Sequence, residues 1–182
     1  MSKVRVHGHA IISDDDVITG PDGRTPPALN NDADWTLFQR ALDASDLTVL
    51  GRLGHVANPN FRRRRRLVVS RALEGLGPRE DAWWWNPADV RWAEVTARLL
   101  PGGGLVAVPG GQGVFDLFLA LGYDEFHLVR AHGVLVPGGR RLFSGLSATL
   151  RAEQALASTG LKPGPIETID AAANVTRTIW RA

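Results

Sequence analysis

Three short stretches carry residues with chemistry to offer. Gly51-Arg52, Ser70-Arg71 and Gly110-Gly111 each close a short apolar, β-branched run. A strand that feeds glycine into a helix N-terminus builds an anion site. The amides point outward, the helix dipole favours negative charge, and missing Cβ atoms let a phosphate approach. Arg52 and Arg71 add forked donors suited to phosphate oxygens. Three such ends on one sheet edge point to a ligand with several phosphates, a dinucleotide. Arg71 stands beside Ser70 with no acid at that strand end, which favours a 2′-phosphate and so NADP over NAD. The glycines do not spell the Rossmann fingerprint. "GGGLVA" at 102–107 fits G-x-G-x-x-A on paper but precedes a strand instead of following one.

Other candidates have two readings each. Asp34 starts a helical pattern, so it is either an N-cap or an acid facing a substrate. Asp14, Asp15 and Asp16 look like metal ligands, but adjacent acids on a turn are more often solvated. Arg62 to Arg66 resemble a nucleic-acid patch; in a strand they would alternate faces and break it. Trp83 to Trp85 read as a loop that stacks bases, or more simply one that covers a core edge or a dimer interface. His7 and His9 share one strand face, where buried, hydrogen-bonded histidines are the default. His55, His127 and His132 lack metal-ligand spacing. No metal site is expected.

The elements that position these residues follow from periodicity. Strands are expected at Val4 to Ile12, Leu47 to Leu50, Arg65 to Ser70, Leu105 to Val108, Glu125 to Arg130 and Val134 to Val136. Helical spacing covers Asp34 to Ala44, Asp89 to Leu100, Gly113 to Leu121 and Ala152 to Ser158, with one turn at Leu53 to Ala57. Ile166 to Asp170 and Val175 to Arg181 read as an antiparallel hairpin. Strands alternating with helices and ending in a hairpin make a mostly parallel α/β sheet with an antiparallel edge.

Composition sets the bounds. The 182 residues suffice for one domain, and 44% hydrophobic content with 22% charged residues reads as globular. A net charge of +2 does not imply a nucleic-acid binder. No apolar run is long enough for a membrane span, and no signal peptide pattern opens the chain. The absence of cysteine excludes thiolate metal sites and cysteine nucleophiles, and fits a cytoplasmic protein.

"DADWTLFQRAL", "DLTVLGR", "RRLVVSR" and "VPGGQGVFDLFL" together resemble, in order and spacing, the dihydrofolate reductase superfamily. "NPNFRRR", "YDEFHLVRAHGVLVPGGRRLF" and "GLKPGPIETID" resemble its pyrimidine reductase branch, from riboflavin biosynthesis. The resemblance spans nearly the whole chain. It implies a single domain (1–182) with a three-layer αβα fold, NADPH as cofactor, and hydride transfer to a small heterocyclic or sugar-linked substrate. That substrate would be pterin- or folate-like, or a pyrimidine of the riboflavin pathway. A homodimer without nucleic-acid or membrane partners is expected. The alternative is a member that has lost catalysis and acts in binding or assembly.

By position, the resemblance gives Ala10, Ile11 and Ile18 to the nicotinamide. It gives Gly51, Arg52 and Gly54 to the pyrophosphate and adenosine phosphate, and Ser70 and Arg71 to the 2′-phosphate. Gly110, Gly111, Gln112, Gly113 and Val114 would line the cofactor, with Phe115 near its ring. Gly110-Gly111 would hold a cis peptide bond. Asp34 matches the catalytic acid, and Trp35 and Phe38 the substrate-ring contacts. Two positions depart from the pattern: Asp16 replaces a glycine of Ser-x-Asp-Gly, and Gly54 stands where a hydroxyl is usual. The deaminase half of the bifunctional riboflavin enzymes, with its zinc-binding cysteines, is absent.

Overall fold

The computed structural model describes residues 3–182. β1 (Val4–Ile12) alternates strictly enough to serve two faces. Val6 and Ile12 are buried on one; His7, His9 and Ile11 belong to the other. Gly8 is required at its position, because a Cβ there would come within 2.3 Å of the Phe126 ring. After an acidic turn, β2 (Val17–Thr19) pairs with the short β9 (Arg140–Arg141) in a small antiparallel sheet. The chain continues through α1 (Asp32–Asp43), β3 (Leu47–Gly51), α2 (Arg52–Ala57), β4 (Arg66–Val69), β5 (Leu76–Arg79) and β6 (Ala82–Trp85). Then come α3 (Trp92–Leu99), β7 (Gly104–Gly110), α4 (Gln112–Leu121), β8 (Glu125–Ala131), α5 (Ala152–Ser158), β10 (Lys162–Asp170) and β11 (Val175–Arg181).

The main sheet has nine strands in the order β10-β11-β8-β1-β7-β3-β4-β6-β5. The six from β8 to β6 run parallel. Antiparallel strands flank them, β11 and β10 on one side and β5 on the other. Prolines mark both outer strands: Pro163 and Pro165 in β10, which also bulges there, and Pro78 in β5. The main core lies between the sheet and α3, α4 and α5, where Val95, Leu99, Val114, Phe118 and Leu156 meet Val6, Val106, Val108 and Leu128. On the opposite face α2 packs on β3 and β4, and α1 reaches β10.

Several expectations need correction. Trp83 to Trp85 are not a loop but strand β6, paired with β4 on one side and β5 on the other. Trp85 and Trp83 face the main core and Trp84 the smaller cluster of Leu50, Val68 and Ala82. Val134 to Val136 is not a strand, because its backbone is taken by the acidic turn. Val134 O accepts from Asp14 N at 2.7 Å, and Val136 N donates to the Asp15 carboxylate. Only Arg66 of the arginine run lies in a strand. Arg62 and Arg64 bind Asp43, Arg65 donates to Leu99 O and Arg66 to Asn58 O, so the run is dispersed by partners and not by strand alternation. α3 starts at Trp92 and not at Asp89: Asn86 Oδ1 accepts from Ala88 N, and Trp85 Nε1 donates to Val90 O, fixing a turn first.

Candidate active site

The parallel strands end together at one edge. The β3–β7 pairing sets Leu50 opposite Gly110, which brings Gly51 and Gly111 side by side. A Cβ on Gly51 would lie 4.0 Å from Gly111 N. The Gly110-Gly111 bond is cis. Gly110 has φ 107°, and a Cβ there would press into the Phe115 ring at 2.6 Å, so no other residue fits. No side chain caps the first turn of α2 or α4; in α4 Val114 N is taken by Gly111 O at 3.0 Å, which leaves the amides ahead of it for an outside acceptor. Gln112 is anchored by its Nε2, which donates to Arg141 O. Gly111 and Gly113 are exposed, whereas Val114 and Phe115 are buried. Phe115 packs against Phe126 and Phe143 beneath the glycines, as a support.

Beyond these glycines lies a cavity of about 520 Å³, walled by Arg52, His55, Ser70, Arg79 and Trp84, among others. Ser70 is buried, and its Oγ accepts from Ala72 N, which shapes the turn leaving β4. Arg71 is exposed beside this cavity and not on its wall. Arg79 lies with Cζ 5.5 Å from the Trp84 ring centroid, and His55 meets the same ring edge-on. Arg79 and Trp84 were not singled out from the sequence as cavity residues; seeing them required the β5–β6 hairpin. Gly54 lies within α2 and is partly buried, as are Ala10, Ile11 and Ile18 near the end of β1 and in β2.

On the other side of β1 stands the first turn of α1. Asn31, not Asp34, is the cap: its Oδ1 accepts from Asp34 N at 2.9 Å, and its Nδ2 donates to Asp170. The Asp34 carboxylate therefore has no capping duty, and no hydrogen bond reaches it from the described residues. Burial raises its pKa to about 6, against the opposing pull of Arg177 on β11. Trp35 is 57% exposed and Phe38 half-buried, their ring centroids 5.8 Å apart.

Asp16 of the acidic turn is not solvated, whereas Asp14 and Asp15 are partly exposed. Asp16, with φ 62° where the related pattern has glycine, is 1% exposed. Its carboxylate accepts four hydrogen bonds, from Arg130 Nη2, Arg151 Nε, Arg151 Nη2 and Ala152 N. Asp15 accepts from Ser13 Oγ and Val136 N, and Asp14 from Gly133 N. His7 also departs from expectation: its Nε2 is buried with no partner.

The whole arrangement is the dihydrofolate-reductase-like fold. A riboflavin biosynthesis protein from Shewanella sp. PV-4 superposes with a TM-score of 0.69 at 20% identity, covering 98% of each chain. Dihydrofolate reductase from Enterococcus faecalis, complexed with NADP(H) and RAB-propyl, gives 0.67 at 15%, covering 99% of this chain and 97% of that one. The bifunctional pyrimidine deaminase and 5-amino-6-(5-phosphoribosylamino)uracil reductase of Thermotoga maritima gives 0.64 at 15%, covering 98% of this chain and 56% of that one. No protein-family profile matches the sequence, and no curated protein is similar to it at the sequence level.

Proposed function

We propose that the chain is an NADPH-dependent reductase of a small heterocyclic substrate, pterin-like or a sugar-linked pyrimidine. The observation that carries this reading is the continuity of the site along one strand edge. Uncapped helix amides, the paired glycines and the Arg52–Arg79–Trp84 cavity follow one another across β7, β3, β4 and β6. Arg52 and Arg79 supply charge for phosphates, Ser70 a hydroxyl, and Trp84 a ring face for a base. When bound, the cofactor supplies the hydride. The chain's own part is proton control. Asp34, with a pKa of about 6, carries a proton in part near neutrality and has nothing else to donate it to. Trp35 and Phe38 offer apolar ring surface beside it.

The test is NADPH titration followed by tryptophan fluorescence, then a panel of dihydropterins and ribosylaminopyrimidinones followed by NADPH absorbance. Saturable quenching with turnover of one substrate class is expected. Arg52→Ala should weaken NADPH about ten- to hundredfold, the value of one charge-assisted contact. Arg71→Ala should weaken NADPH more than NADH; equal losses would move the 2′-phosphate to Arg52 or Arg79. Absence of any NADPH binding would overturn the proposal.

A further inference from the structure

His7 and His9 project from the same face of β1, and the parallel register sets His127 of β8 directly opposite His9. A ring nitrogen of each lies within 4.8 Å of the other two. The His9 and His127 ring centroids are 4.5 Å apart and those of His7 and His127 5.9 Å. We propose that His7, His9 and His127 form a three-histidine site for a borderline divalent transition-metal ion of the Zn²⁺ or Co²⁺ type. The site sits on the sheet face opposite α3, α4 and α5, with a fourth position open to water.

Three observations converge on this. First, His7 Nε2 is buried with no hydrogen-bond partner, a costly state that a ligated ion would relieve. Second, Glu125 Oε2 lies 3.1 Å from His127 Nε2, the kind of carboxylate contact that fixes ring orientation behind a metal-bound histidine. Third, His7 and His127 are only partly buried, which leaves an entry path.

The adjustment needed is small. Bonds of about 2.0–2.1 Å in a tetrahedral site put ligand atoms about 3.3–3.4 Å apart. Ring rotations are what the site requires to close the difference from 4.8 Å. The positive neighbours do not forbid an ion: Arg177 is paired with Glu167 at 2.6 Å and Arg181 with Glu125 at 3.3 Å. With nitrogen ligands and no thiolate, the set suits Zn²⁺, Co²⁺, Ni²⁺ or Cu²⁺ and not Mg²⁺ or Ca²⁺.

The experiment is Co²⁺ titration of tag-free, chelator-stripped full-length protein, followed by visible ligand-field absorption and calorimetry. One Co²⁺ per chain is expected, displaceable by Zn²⁺. At a hundredfold excess over Kd, Zn²⁺ should raise Tm by about 5–10 °C. His7→Ala and His127→Ala should each abolish the Co²⁺ band with native circular dichroism retained. His132→Ala, whose histidine contacts Thr176 outside the cluster, should keep it. His9 is the most buried of the three, so His7→Ala remains the decisive variant if His9→Ala fails to fold. No absorption band at excess Co²⁺, or binding that survives both His7→Ala and His127→Ala, would overturn the site.

Discussion

Two polar clusters lie within this fold and are built on opposite terms. Around Asp16, both carboxylate oxygens take two donors each, and the charge is matched by Arg130 and Arg151. Around His7, His9 and His127, a nitrogen is left over and the rings are neutral. A saturated cluster can only hold structure, because no lone pair remains to offer. An unsaturated one holds capacity for a ligand. Asp34 lies between the two: a half-buried acid with no donor among the described residues, opposed by the charge of Arg177. Satisfaction, more than burial, separates the part that braces the site from the parts that can react.

The largest effect should come from breaking the saturated cluster. Asp16→Asn keeps a residue that tolerates φ 62° but removes the charge between two arginines. Removing one partner of a buried pair costs about 3–5 kcal/mol; with Arg151 41% exposed, about 3 kcal/mol is expected, a Tm loss on the order of 10 °C. A loss of a degree or two would mean that the turn is held by Asp14 and Asp15 instead.

Asp34→Asn should act in the other sense. The folded Asp34 pKa lies above its unfolded value of 3.8, so rising pH between 3.8 and about 6 deprotonates the unfolded chain first and erodes stability. Asp34→Asn should therefore be more stable than wild type at pH 8, by about 1–2 kcal/mol, and equal to it at about pH 3, below the unfolded pKa. Asp16, whose pKa is lowered by its arginines, gives the opposite slope: its contribution is intact above pH 4 and lost as pH falls through its folded pKa. Once a substrate is found, Asp34→Asn turnover should fall on the order of a hundredfold. Unchanged turnover would remove Asp34 from the chemistry.

The smallest effect is expected at the unsaturated cluster. Without metal, His7→Leu exchanges an orphaned nitrogen for an apolar group and should raise stability by about 1 kcal/mol. A large loss in metal-free urea denaturation would show that His7 has a partner in solution and blunt the contrast with Asp16.

The glycine-bearing strand ends were legible because glycine is informative where a strand turns sharply. Gly51 and Gly110-Gly111 mark where β3 and β7 turn into α2 and α4. The β5–β6 hairpin was not legible. Both faces of β6 are covered, so three tryptophans show no alternation, and the turn at Glu80, with φ 54°, carries neither glycine nor asparagine. Arg79 and Trp84 were lost with it. The Asn31 cap lay in plain view, three residues before the helical spacing starts at Asp34, but two acids and two asparagines competed for the role. His127 was invisible as a partner of His9 because strand register, and not sequence spacing, sets them side by side.

The prolines of the two outer strands bear on how copies of this molecule can meet. An exposed strand ordinarily offers a row of amides on which another chain can crystallise, sheet joining to sheet. Pro163 and Pro165 remove two of those donors from β10 and the bulge beside them bends the row; Pro78 does the same for β5. Growth of the sheet from molecule to molecule is thereby discouraged at both ends. A pairing of two copies across a face, by side chains, meets no such obstacle and would leave the nine-stranded sheet the same size in each.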